Sequence, residues 1–116
     1  MKLLLNHKKK KQLNNRNKII TRLDLLLVEW KPAYEESSTK EEDIQRFNKI
    51  IVFLKSSRAW LQSINYKDSY KVITLIEKIN EKLDVIESQS RKIAGDNVVY
   101  RASEELFNLV VQWSKL

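Results

Sequence analysis

The sequence predicts an all-α protein, a single four-helix up-down bundle with a basic N-terminal arm, and three observations carry that reading. Only one glycine and one proline occur among 116 residues. Turn-rich β folds and doubly wound folds consume both residue types at their connections, whereas long helices with few links need neither. Apolar residues recur at alternating spacings of three and four through four separate stretches, as they do on helices with one buried face. There is no cysteine and hence no disulfide staple, and a chain of this length can bury a core without one.

Residues 1–12 read as a basic arm, mobile or ordered by a partner, because no apolar periodicity survives the lysines there. A first helix is expected over 14–31, with Ile20, Leu23, Leu27 and Trp30 as its stripe and Ile19 and Leu26 widening it. Pro32 is expected to stop it, since the residue before a proline is pushed out of the helical region. Residues 33–39 then form a loop. Ser38 with Glu41, and Thr39 with Glu42, fit a capping box that opens a second helix over 40–64. Ile44, Phe47, Ile51, Leu54, Arg58 and Leu61 hold its seam, flanked by Ile50, Phe53 and Trp60. Asp68 or Ser69 is placed to cap a third helix over 69–94, seamed by Val72, Ile76, Ile79, Leu83, Ile86, Ser90 and Ile93 with Ile73 beside them. Gly95 suits the left-handed residue that ends it. Asp96 can cap a fourth helix over 97–116, where Val99, Ala102, Leu106, Leu109, Trp113 and Leu116 repeat the pattern.

The charge is distributed unevenly. The net charge is +7, yet residues 1–22 alone hold eight bases and no acid. The remaining 94 residues carry 14 bases and 15 acids, a net charge of −1. Such asymmetry points to an acidic partner. An AT-rich genome would raise total lysine, but it would not gather eight bases at one end.

Enzymatic chemistry has little to draw on. His7 is the only histidine and sits among lysines, where a solvated role is the ordinary one. With no cysteine and one histidine, no metal-ligand spacing appears, and one glycine cannot build a phosphate loop. The arginine-to-histidine spacing of helical ribonucleases of the HEPN type is also missing. The expectation is a non-enzyme without cofactor or metal. No apolar run approaches the roughly 20 residues of a membrane span. The opening Met1-Lys2-Leu3-Leu4-Leu5 resembles a signal peptide, but Lys8 to Lys11 interrupt it, so a cytoplasmic location is expected.

Lysine and arginine neutralise phosphates and release counterions, so the basic segment is expected to bind single-stranded DNA or RNA through its backbone. The candidate contacts are Lys8, Lys9, Lys10, Lys11, Arg16, Lys18 and Arg22, followed by Lys55, Arg58, Arg91 and Lys92. Arg58 stands at an apolar seam position, where snorkelling from a bundle end competes with a binding role. Trp30, Trp60 and Trp113 fit core packing. Tyr34, Tyr66, Tyr70 and Tyr100 lie nearer connections, where half-burial is ordinary and stacking on an unpaired base is the minority reading. No helix-turn-helix, RNA-recognition or zinc-finger signature supports base reading.

A cysteine-free, basic helical bundle of this length, with bases at Arg16, Lys18, Arg22, Lys55, Arg58, Arg91 and Lys92, resembles the small subunit of CRISPR interference complexes. The resemblance spans the chain and rests on size, helix content and charge rather than on a motif; the dense lysine arm departs from the family. It implies several copies lining a multisubunit complex, contacts to nucleic acid, and antiviral defence. The alternative is a structural or adaptor bundle that docks on protein partners, further copies of itself included. Membrane attachment through the lysines is weaker, because only Leu3, Leu4 and Leu5 could insert and polybasic attraction needs a second anchor.

Overall fold

In the computed structural model, the described residues 2–37, 41–89 and 97–116 form four helices and no strand, with side chains defined outside 2–5 and 30–37. They are α1 (Lys2–Ser37), α2 (Glu41–Ser63), α3 (Lys71–Ser88) and α4 (Asn97–Ser114). The all-α bundle expected from the spacing is what forms.

Helix α1 is much longer than expected. It begins at Lys2 rather than near residue 14, so residues 2–12 are helical and not an irregular arm. Lysine, leucine and glutamine are good helix formers, and extending a packed helix needs no new nucleus. Its 36 residues would measure about 54 Å, which accounts for a molecule 58 Å long and only about 20 Å across. The backbone also stays helical through Pro32. Proline deprives the carbonyl four residues earlier of its partner. That carbonyl belongs to Val28, which is 71% exposed, so water can take the place of the missing N–H.

The buried face of α1 is Ile19, Leu23 and Leu26, with Ile20 and Leu27 packed half-buried beside it. The stripe is thus rotated slightly from the expected Ile20–Leu23–Leu27 line. On α2, Phe47, Ile50, Ile51, Leu54 and Leu61 are buried. The seam position expected for Arg58 is taken by Ser57, which is fully buried and donates its hydroxyl to the Phe53 carbonyl at 2.7 Å. Val72, Leu75, Ile76, Ile79, Leu83 and Ile86 fill the core from α3, and Val99, Ala102, Leu106, Val110 and Trp113 from α4. Ile44, Ile73 and Leu116, expected on these seams or beside them, are exposed, Ile44 and Ile73 in the first turns of α2 and α3 and Leu116 past the end of α4. Together these side chains form one continuous core.

Capping differs from the expectation at α3. Tyr70, not Asp68 or Ser69, is the N-cap residue, and it makes no side-chain cap bond. Ser69 still contributes: its hydroxyl accepts from the Lys71 N–H at 3.3 Å and its carbonyl from the Val72 N–H at 3.3 Å. Helix α3 also ends at Ser88 rather than at 94, with Gln89 as its C-cap and the Gln89 N–H closing the last turn on the Ile86 carbonyl at 3.3 Å. The expected seam residues Ser90 and Ile93, the capping boxes at Ser38 and Thr39, and the Gly95 and Asp96 signals lie outside the described residues.

Helix neighbours are α1 with α2, α2 with α4, α4 with α3, and α3 with α1. Directions alternate along the chain, so α1 and α3 run parallel, as do α2 and α4. Consecutive α2 and α3 therefore stand on a diagonal, unlike a simple up-down bundle in which they would be adjacent. The connection over residues 64–70 can reach about 24 Å when extended, more than a bundle diagonal built from helices 8–10 Å apart requires.

Candidate functional site

Three side chains of the basic segment hold α1 against the bundle. Gln12 donates through Nε2 to the Lys67 carbonyl at 3.0 Å and accepts from the Lys67 N–H at 2.9 Å. Arg16 donates through Nη1 to the Ile64 carbonyl at 2.6 Å, just past the end of α2, where orphan carbonyls and the negative end of the helix favour a cation. Arg22 reaches α3, donating to Glu87 at 2.8 Å, to Asp84 at 2.7 Å and to Asn80 at 3.0 Å. Its pKa is raised, first by the Glu87 hydrogen bond and then by Asp84, against the opposing effect of desolvation.

Beside the Gln12 tether, toward the N-terminus of α1, that helix and the start of α3 leave a cleft of about 690 Å³. His7, Lys8, Lys11 and Asn15 of α1 line one side. Tyr66, Lys67 and Tyr70 from the α2–α3 connection, with Ile73 of α3, line the other, and Asp68 and Glu77 add two carboxylates. Tyr70 is 81% exposed and Ile73 65%, unusually high for apolar surface inside a concavity. The cleft thus offers two α1 ammonium groups on one wall and, beside Lys67, accessible aromatic and aliphatic surface on the other.

The bases singled out in the sequence fall into three groups. Lys8, Lys9, Lys10, Lys11, Lys18 and Lys55 are exposed, and among the described residues none enters a salt bridge. Lys8 and Lys11 face the cleft; Lys55 lies on α2, away from it. Arg16, Arg22 and Arg58 each make contacts within the fold: Arg58 pairs with Asp24 of α1 and donates to Gln62 at 3.2 Å. Arg91 and Lys92 lie outside the described residues. Gln12 and Lys67 as a pair gave no local signal in the sequence, since their partnership bridges 55 positions. Lys67, Tyr66 and Tyr70 were visible as a base and two rings near a turn, but their meeting with the α1 lysines was not.

Of the tryptophans, Trp113 is fully buried as expected, whereas Trp60 is 43% exposed and meets Phe107 edge-on at 6.2 Å. Tyr100 is half-buried and meets Phe53 edge-on at 5.8 Å. Trp30 and Tyr34 lie outside the described side chains. Among the described residues no group of three histidine, aspartate or glutamate side chains could hold a metal ion, and no helix is long and apolar enough to cross a membrane. No protein-family model, curated protein or solved structure matches the chain.

Proposed function

We propose that this protein is a non-catalytic, non-sequence-specific nucleic-acid-binding subunit that holds a phosphate backbone on the N-terminal half of α1. The observation that supports the reading most is the run Lys8–Lys11, exposed on successive sides of an ordered helix with no acid among residues 1–22 to quench it. Consecutive helical residues point about 100° apart, so four lysines surround the helix with charge rather than making one stripe. A backbone can follow such a rod from several directions, which suits binding without sequence preference. Lys18 continues the charge one turn and more along α1.

Service within a larger complex is supported by Leu25 and Val28, which are 56% and 71% exposed and share a face of α1 at i, i+3. A place as the small subunit of a CRISPR interference complex is the more specific form of the proposal, supported by size, helix content and charge alone. The adaptor reading, in which protein docking is the main role, is favoured by this same apolar pair.

The test is the salt dependence of binding to labelled single-stranded DNA and RNA, by fluorescence anisotropy. Each single-strand phosphate neutralised contributes about −0.7 to the slope of log K against log salt. Replacing Lys8 to Lys11 together by glutamine is expected to flatten that slope by about 2–3 and to weaken DNA and RNA alike. No binding by the wild-type chain at low salt would sink the proposal.

A further inference from the structure

We infer that the cleft between α1 and the start of α3 is a stacking subsite for an unpaired nucleotide, with the base on Tyr70 and its phosphate on Lys8 and Lys11. The inference rests on the nucleic-acid reading and commits it to a single strand entering at a stated place.

Three features converge on it. The volume, about 690 Å³, lies within the range of about 300–1,000 Å³ common to ligand sites. The tyrosine ring has little to do with the fold: Tyr70 is 81% exposed and caps α3 without a side-chain hydrogen bond. Its neighbour in the cleft, Ile73, extends the open apolar surface at 65% exposure. Every base has a π-face, so an accessible ring beside cations is the arrangement that single strands use without sequence preference. Duplex DNA, whose bases are already stacked, has no face to offer.

The polar lining is segregated in a manner that fits a nucleotide better than a bare anion. Lys8 and Lys11 come from the α1 wall, whereas Glu77 belongs to α3 and Asp68 to the connection. Lys67 adds one ammonium to the second wall beside these two carboxylates, so phosphate is drawn chiefly to the first wall, which has no acid. Every unpaired base has an amino or imino N–H that a carboxylate can accept from, so it can turn toward the carboxylates as phosphate turns away. The cleft is also held open in advance. Gln12 fixes the connection to α1 through both Lys67 backbone groups, and Arg22 fixes α3 to α1 further along. A preformed site loses less freedom on binding.

The experiment compares one single-stranded oligonucleotide of mixed sequence with an abasic strand of equal length, both labelled, at low salt. The full-length wild-type chain is expected to bind the mixed strand about tenfold or more tightly than the abasic one. Tyr70→Ala is expected to abolish that difference while leaving abasic binding as it was, and Tyr70→Phe to keep it. Lys8→Gln with Lys11→Gln weakens both strands. Tyr70→Leu retains bulk at the α3 cap and decides the matter if the alanine variant loses helical circular dichroism. Equal wild-type affinity for the two strands, or a difference that persists in both Tyr70→Ala and Tyr70→Leu, overturns the subsite while leaving backbone binding intact. Binding to neither strand overturns the nucleic-acid reading itself, and the subsite with it.

Discussion

Gln12 and Lys67 lie 55 residues apart and exchange two hydrogen bonds, the side-chain amide of one reading both backbone groups of the other. An amide carries one donor end and one acceptor end, so it satisfies an N–H and a C=O at once, which no charged side chain does. Through this pair the α2–α3 connection, which has no helical ladder of its own, is attached to a long helix that does. The aromatic side of the cleft therefore keeps its place relative to the lysine side.

Gln12→Ala should release that connection. Two part-buried hydrogen bonds are lost together and the Lys67 backbone is left to water, which costs about 1–2 kcal/mol at a net value near 1 kcal/mol per bond. Urea denaturation followed by circular dichroism measures the loss, and amide exchange should accelerate first at Lys67. A variant as slow in exchange as the wild type would mean that the tether is not needed to hold the connection.

Arg22 is expected to matter for stability and not for nucleic-acid affinity, although it belongs to the basic segment. Arg22→Lys keeps the charge but cannot fork to Asn80, Asp84 and Glu87 together. Because the partners are largely solvent-exposed, the loss should be discounted to about 1 kcal/mol. The salt slope of binding should be unchanged. The sign of its pH dependence follows from the raised pKa. Stability from Arg22 is full below the unfolded arginine value and is lost only as pH rises through the still higher folded one. Unfolding free energies measured between about pH 8 and 10 should therefore show no contribution from its titration.

These two contacts mark what was legible in the sequence. The apolar faces of α2, α3 and α4 were readable because burial imposes a local spacing: Phe47, Ile51, Leu54 and Leu61 fall where the 3–4 pattern puts them. The start of α1 was not, because residues 6–11 are exposed and carry no stripe, yet lysine and leucine sustain a helix extended from a packed one. The intramolecular partners of Arg22 and Arg58 were hidden as well. A guanidinium advertises its need for an acceptor, but the acceptors, Asp84 and Glu87 for one and Asp24 for the other, lie 62, 65 and 34 residues away. The α1 lysines and the Tyr66–Tyr70 stretch each showed locally; only the diagonal α2–α3 connection brings them together.

Ser57 should prove a packing residue. It is fully buried on α2, and Ser103 is fully buried on α4, within the stretch bracketed by the Phe53–Tyr100 and Trp60–Phe107 ring contacts. Small residues there let two parallel helices approach. Ser57→Ala should change stability by less than about 1 kcal/mol, because the Phe53 carbonyl that its hydroxyl bonds is already an acceptor within the helix. Ser57→Leu adds volume to a filled seam and should cost about 1–3 kcal/mol. Equal denaturation midpoints for the leucine and alanine variants would show that the seam has room to spare.

Pro32 offers the sharpest test of the long first helix. If the backbone is helical from Lys2 to Ser37, position 32 is a helix interior, and there proline is about 3 kcal/mol worse than alanine. Hydration of the exposed Val28 carbonyl offsets part of that cost, so Pro32→Ala should stabilise the protein by about 1–2 kcal/mol. A helix that instead ended at Lys31 would predict the reverse. Proline would then be restricting an extended linker, and alanine in its place would destabilise by about 0.4–1 kcal/mol through the unfolded chain. The direction of the change in thermal midpoint therefore distinguishes the two, and a decrease would mean that α1 stops before Pro32.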